Sequence, residues 1–214
     1  MPSVSMPLFP LAAPALFPHC VAPLHVFEPR YRALTADALA GERRIGMATV
    51  RPEAIAKMAG DPALFAIGCA GFIAEHQRLP DGRYLILLSA TTRFRILEEP
   101  ARPRERLYRV ASVELLEEAA GDGARAAEQR ACVVRELRVL AATSGTDASF
   151  DAERLDALDD GRFACEVAQA LRLPGPEKQA LLEAPTAADR LDGLAQTLAF
   201  YRASGPNRGD ATLH

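Results

Sequence analysis

Few residues in this sequence have the types and spacing that catalysis or ligand binding requires. Gly121-Asp122-Gly123-Ala124-Arg125-Ala126 spells GxGxxA between an expected strand and an expected helix, the pattern that cradles a pyrophosphate. A dinucleotide site also needs a second parallel strand after that helix, and here helix follows helix, so the glycines read as a turn and a helix start. No GxxxxGK followed by Ser or Thr occurs, so a P-loop ATPase is not supported. Lys57 and Lys178 are the two lysines from which a Ser–Lys dyad could be built, and no GxSxG elbow accompanies any serine. His19, Cys20 and His25 could be drawn as a metal or thiol site, but lack partners and read as a proline-braced extended segment. The acidic pairs Glu98-Glu99, Glu117-Glu118 and Asp159-Asp160 are sequence neighbours whose side chains diverge, which suits solvated faces better than acid–base work. Arg208-Gly209-Asp210 spells an adhesion tripeptide by coincidence. The expectation is no catalytic residue, no cofactor and no metal.

One cluster remains. Arg93 and Arg95 flank Phe94, and Arg102, Arg104, Arg106 and Arg109 follow. Arginine interleaved with aromatic residues on strands could grip RNA or an acidic peptide. Glu98, Glu99 and Glu105 sit among them, so a solvated strand face is the better reading and nucleic acid is not the expected partner. The charge agrees: 25 basic and 28 acidic side chains leave -3, too balanced to advertise a nucleic-acid or membrane-surface protein.

The elements that must position these residues follow from composition. The chain has 214 residues, 49% apolar and 25% charged, as expected of one or two globular units. Its four cysteines, at 20, 69, 132 and 165, form no CxxC pair, and such scattered cysteines read as small buried hydrophobes. Seven of the 16 prolines fall in the first 29 residues, and no formal charge occurs from Met1 to Phe27. So regular a spacing of proline excludes the helix of a signal peptide or a membrane span, which makes the cytoplasm the expected location. Residues 1–115 balance to +3 and hold nine of the 13 aromatics, while 116–214 balance to -6. Aromatic and proline enrichment favours strands and turns, and the Ala/Glu/Arg/Leu-rich remainder favours helices.

Met6 to Leu11, the segment around Leu16-Phe17, and Ile45 to Val50 read as extended. Pro29 to Ala40 reads as a helix with Tyr31, Ala33, Leu34 and Ala38 on its apolar face, ended by Gly41. Phe65–Leu79 and Arg83–Leu97 form a hairpin across Pro80-Asp81-Gly82. The continuous run Tyr84–Leu88 predicts burial on both faces. Leu107 to Leu116 adds a strand, and strands with one early helix suit a closed or half-closed barrel better than a parallel α/β sheet. Beyond it, 123–142 reads as a helix with the stripe Ala127, Ala131, Val134, Leu137 and Ala141. A second helix carries Phe163, Val167, Ala170 and Leu171 up to Pro174. A third spans 176–184, and a fourth is opened by Thr186 and Asp189 and striped by Leu191, Leu194, Ala195 and Leu198. The expected organisation is a β-rich unit over 1–118, a helical unit over 119–203 and a loose tail over 204–214.

Pro7-Leu8-Phe9-Pro10-Leu11, Leu16-Phe17-Pro18 and Pro23-Leu24-His25-Val26-Phe27-Glu28-Pro29-Arg30-Tyr31-Arg32 resemble the opening signature of the Lon protease N-terminal, substrate-binding domain. Gly71, Leu79-Pro80-Asp81-Gly82-Arg83-Tyr84, Arg93-Phe94-Arg95-Ile96, Glu177-Lys178-Gln179-Ala180-Leu181-Leu182-Glu183 and Arg190-Leu191 continue the likeness in order. Two positions depart from the pattern: Ala90 stands where glycine is common, and His19 where a small turn residue is common. The resemblance implies an α+β fold, a PUA-like β pseudo-barrel with one early helix followed by an α-helical bundle. It implies a non-enzymatic module that binds unfolded or specific polypeptide segments, an adaptor or holdase in protein quality control serving a separately encoded protease or chaperone. An RNA-binding PUA-like protein is the alternative. The full proteases continue into an ATPase and a Ser–Lys peptidase, so the resemblance implies a stand-alone Lon-domain protein without either. Phe27, Arg30 and Tyr31 become candidate peptide-binding residues by their place in the signature. The packing alternative puts Phe27 in the core, has Pro29 start a helix and pairs Arg30 internally.

Overall fold

The computed structural model describes residues 3–12, 15–144 and 152–204. The chain divides into two compact units, Met1–Glu117 and Glu118–His214. The first holds strands β1 (Val4–Leu11), β2 (Val21–Val26), β3 (Arg44–Thr49), β4 (Ile67–Arg78), β5 (Tyr84–Glu98) and β6 (Arg109–Leu116), with helix α1 (Pro29–Ala40) after β2 and a 3-10 helix at Pro52–Lys57. The strand order is β2-β5-β4-β3-β1-β6, and β5 pairs with β6 as well. That second pairing closes β5, β4, β3, β1 and β6 into a barrel and leaves β2 outside it, paired only with the first part of β5. The expected barrel is therefore present, and β1–β3 is its parallel pair. Register shifts at Ala70/Gly71, Ile73/Glu75 and Ile96/Glu98 supply the extra bend that closure demands.

Proline placement fits this topology. β1 pairs with β6 from Val4 to Leu8 and with β3 from Leu8 to Leu11. Pro7 and Pro10 thus each lie where only one neighbour is paired, so a missing N–H costs no ladder bond. The hairpin turn is set by Gly82, whose φ of 80° favours glycine and whose N–H donates to the Leu79 carbonyl at 2.9 Å. The Asp81 carboxylate accepts the Arg83 backbone N–H at 3.0 Å and Arg83 Nε at 2.6 Å. The first of these bonds is the main reason Asp81 is held below the usual carboxylate range. His19 fills its turn with φ 66°, the left-handed conformation that histidine adopts more readily than most residues.

The barrel interior is built on Met6, Leu8, Ala48, Ala70, Phe94, Ala111 and Val113, all essentially inaccessible. Helix α1 runs as expected and buries Tyr31, Leu34, Thr35 and Ala38, with Ala33 turned to the half-exposed side. The run Tyr84–Leu88 departs from expectation. Tyr84, Ile86 and Leu88 are buried, but Leu85 is 42% exposed. The cause is pairing: both neighbours of this stretch, β2 and β4, are antiparallel to it, and such a sheet can leave one face to solvent.

Tyr108, just before β6, donates its hydroxyl to Asp37 Oδ2 of α1 at 2.7 Å. Burial, then the bond to Asp37, pushes its pKa up to about 12. Because an unfolded tyrosine titrates near 10, the bond contributes full stability below about pH 10 and loses it as pH rises toward 12. Tyr108→Phe is expected to cost about 1–2 kcal/mol at neutral pH, with the deficit vanishing at high pH. Urea melts at pH 7 and 11, beside tyrosinate absorbance, check this.

The second unit holds α2 (Gly123–Ser144), α3 (Ala152–Asp156), α4 (Asp160–Ala170), α5 (Gly175–Glu183) and α6 (Ala187–Ser204). Side chains open three of them. Asp122 accepts the Ala124 N–H at 2.9 Å, Asp159 the Arg162 N–H at 2.9 Å, and Thr186 the Asp189 N–H at 3.1 Å. In α6 the expected Leu191, Leu194 and Leu198 are fully buried. The stripe expected on α2 is rotated: Ala127 and Ala131 are exposed, whereas Ala126, Val133, Glu136 and Leu137 are buried; the Ala141 side chain lies outside the described residues. Arginine and glutamate account for the error. Arg130 lies 4.4 Å over the Phe163 ring and donates to the Leu155 and Leu158 carbonyls, and Glu136 accepts Arg202 Nε at 2.7 Å. Two inward polar residues thus hide the true face from hydrophobic periodicity. The short α3 is an addition to the expected helices. The tail expected beyond α6, with Arg208-Gly209-Asp210, lies outside the described residues. No described helix is long and apolar enough to cross a membrane.

Candidate functional site

Most of the residues that could do chemistry are used by the fold. Asp122, inside the GxGxxA match, takes the Ala124 and Arg125 amides at the start of α2 for its own carboxylate, at 2.9 and 3.3 Å, so a phosphate would meet a negative charge there. Of the acidic pairs, Glu99 bonds Arg109, Glu118 bonds Arg190, Asp159 caps α4 and Asp160 bonds Arg130. Lys178 is buried with its Nζ donating to the Gln169 carbonyl at 2.8 Å. His19 is a turn residue, Cys20 is buried and His25 points out of β2. Among the described residues no three His, Cys, Asp or Glu side chains converge as a metal site.

Most of the arginine cluster is also committed. Arg95 pairs with Glu114 at 3.0 Å, Arg102 forms two bonds to Asp61, and Arg109 forms two to Glu99 and one to the Pro62 carbonyl. Arg93 is buried, and Arg106 lies over the Tyr108 ring. The pocket of about 230 Å³ between them carries Asp61 and Glu99 beside three arginines. A phosphate backbone would meet carboxylates there, so the RNA alternative is not favoured.

The signature residues separate into two roles. Arg30 spends its guanidinium on protein: Nε donates to Glu28 Oε2 at 3.0 Å, Nη1 to the Gly60 carbonyl at 3.0 Å and Nη2 to the Met58 carbonyl at 2.6 Å. It also stands 4.6 Å over the Tyr31 ring. Tyr31 is 4% exposed and stacks on Phe9 with centroids 4.1 Å apart. Burial is the main cause that raises its hydroxyl pKa. Phe27 does the opposite and stands 59% exposed, outside the core. Arg30 and Tyr31 anchor the start of α1, and the anchored start holds Phe27 out.

Phe27 continues the outward row of β2. Val21, Pro23, His25 and Phe27 alternate with less exposed neighbours, and the His25 and Phe27 rings lie 5.8 Å apart. By register, Val21 faces Ser89 of β5, which faces Phe72 of β4, and His25 faces Leu85, which faces Gln77. Val21, Phe72 and Leu85 are 51%, 44% and 42% exposed. Residues directly paired across antiparallel strands share a face, so these apolar side chains lie on one side of the β2-β5-β4 sheet. A groove of about 470 Å³ runs across it, with Pro23 and Leu87 apolar and His25, Glu75 and Gln77 polar. Sequence reasoning missed Val21, Phe72 and Leu85. The available signal was the strand pairing of the uncharged N-terminal stretch, which reveals β2 as an edge.

Known proteins carry the same design. The chain is 26% identical over 189 residues to the Lon protease of Azorhizobium caulinodans, covering 88% of this chain and 22% of that protein. It is 28% identical over 194 residues to the Lon protease of Heliobacterium modesticaldum, covering 91% and 24%. The chain therefore spans about a quarter of the length of these relatives. Among solved structures, the Lon N-terminal domain protein from Xanthomonas campestris superposes with a TM-score of 0.64 at 25% identity, covering 92% of this chain and 98% of that one. The N-terminal domain of Mycobacterium avium complex Lon protease shares the fold with a TM-score of 0.70 at 19% identity, with the same coverages. The family model described as the ATP-dependent protease La (LON) substrate-binding domain matches residues 5–199, from β1 into α6. The barrel, its edge strand and the helices after it thus fall within one family's bounds, and the chain belongs to the Lon substrate-binding domain family.

Proposed function

We propose that this chain is a non-catalytic polypeptide-binding module, and that it captures unfolded or extended segments on the exposed face of β2, β5 and β4. The observation that carries the reading is the grouping of Val21, Phe27, Phe72 and Leu85, exposed on a sheet whose other face is buried. Scattered apolar surface residues are ordinary, whereas a contiguous group with a polar rim is what a peptide groove needs. Phe27 is the contact residue; Arg30 and Tyr31 act through it as positioning residues. In the cell the module works as an adaptor or holdase, presenting clients to a protease or chaperone in the cytoplasm.

The test is fluorescence anisotropy of the purified chain with a labelled, carboxymethylated and permanently unfolded client protein. Exposed aromatic anchors dominate such interfaces, so Phe27→Ala is expected to weaken capture about tenfold or more while its circular dichroism is unchanged. Failure of the wild type to bind, or equal binding by Phe27→Ala, would overturn the reading.

A further inference from the structure

We propose that the free edge of β2 binds its client as an added strand, selecting extended segments with an apolar residue at every second position. This rests on the polypeptide-binding reading above and adds the mode of capture. Among the described residues β2 pairs with β5 alone, so along its other edge no strand takes up its backbone donors and acceptors. Native edge strands are usually protected by charge, above all by lysine. Val21-Ala22-Pro23-Leu24-His25-Val26 carries no lysine, arginine, aspartate or glutamate. Its protection is Pro23, which removes one donor.

The register says which groups are offered. The Ala90 N–H of β5 donates to the Cys20 carbonyl at 2.9 Å. In an antiparallel ladder the inward-bonding residues then alternate, so Cys20, Ala22, Leu24 and Val26 turn their backbone toward β5. Val21, Pro23 and His25 turn theirs away, and Pro23, with no N–H, falls in the set where no bond to β5 is lost. The free edge thus offers two N–H groups, of Val21 and His25, and three carbonyls, of Val21, Pro23 and His25.

This arrangement reads the client twice. A client residue opposite Val21, Pro23 or His25 donates its own N–H to the edge, and its side chain falls on the same face as theirs. That face carries Val21, Pro23, Phe27 and Leu85, so the residues that give the hydrogen bonds are the ones that must be apolar. Proline is excluded at those positions, since each carbonyl of the edge needs a donor. An extended segment with alternating apolar residues meets both conditions, and a helix meets neither because its amides are already used.

The probe is a fluorescein-labelled decapeptide of alternating valine and threonine, its anisotropy read on the intact chain. N-methylation of every valine nitrogen is expected to weaken binding about tenfold or more, and N-methylation of every threonine nitrogen less than about threefold. Equal effects of the two methylation patterns would overturn strand addition. No binding of the unmodified decapeptide by a chain that still captures the unfolded client would likewise overturn it, and would leave the binding reading standing. Loss of both overturns that reading as well.

Discussion

Phe94→Ala is expected to lower the unfolding free energy of the barrel unit by about 3–5 kcal/mol, read as a reduced urea midpoint at unchanged slope. The ring is fully buried at the centre of the cluster formed by Met6, Leu8, Ala48, Ala70, Ala111 and Val113. Two glycines make the room it fills. A Cβ built on Gly46 would lie 2.7 Å from Met6 Cγ and 3.1 Å from the Phe94 ring, and one on Gly68 would run into both the Met47 carbonyl and that ring. The glycines differ in what blocks them, and that difference sharpens the expected result. Gly46→Ala meets side chains only, so the cavity left by Phe94→Ala should absorb much of its cost, and a double-mutant cycle should show favourable coupling. Gly68→Ala also meets the Met47 backbone carbonyl, which cannot move aside, so most of its cost of about 1–3 kcal/mol should remain when the ring is gone. Additive behaviour of Gly46 with Phe94 would count against this account of the core.

The same residue explains why some of this molecule was legible in advance. Arg93-Phe94-Arg95 marks a strand centre, and Pro80-Asp81-Gly82 marks the turn before it, because turn and strand chemistry act over a few residues. Helix α1 was readable from Pro29 and Gly41 for the same reason. Closure of the barrel was not readable in detail, since it depends on β5 pairing with β6 across register shifts that no local pattern encodes. Polarity misleads most where a charged side chain faces inward. Arg130 and Glu136 turned the expected face of α2, and Arg30 tucks its guanidinium onto carbonyls while neighbouring Phe27 takes the solvent. A residue's type predicts its burial only when the cost of desolvating it is not met by partners. Those partners, Gly60 and Met58 for Arg30, lie about thirty residues away, beyond any local window. Hence the candidate surface emerged from strand pairing and exposure together.

Arg190→Ala is the second large expected effect, about 3 kcal/mol or more on the helical unit. Arg190 is fully buried; its Nη1 and Nη2 reach the two Glu118 oxygens at 3.0 and 3.3 Å, its Nε the Leu181 carbonyl at 3.2 Å, and its Nη2 the Ala184 carbonyl at 3.2 Å. It thereby ties the start of α6 to the end of α5 and to the residue that begins this unit. Removing the arginine leaves a cavity and takes this donor from the Leu181 carbonyl, a loss of about 1–3 kcal/mol when the group is kept from water. The Glu118 side chain is 41% exposed, so its carboxylate returns to solvent and adds little. Glu118→Ala is expected to be the milder change, because the guanidinium keeps both carbonyls and water can enter where the part-exposed carboxylate stood. Arg190→Lys should fall between, since one ammonium cannot serve partners spread around a planar fork. Urea melts of the three variants, with hydrogen exchange of the amides of α5 and of Ala184, would show this order and place the loosening at the α5–α6 junction. A larger loss from Glu118→Ala than from Arg190→Ala would mean that the ion pair, and not the arginine's grip on the two carbonyls, holds that junction together.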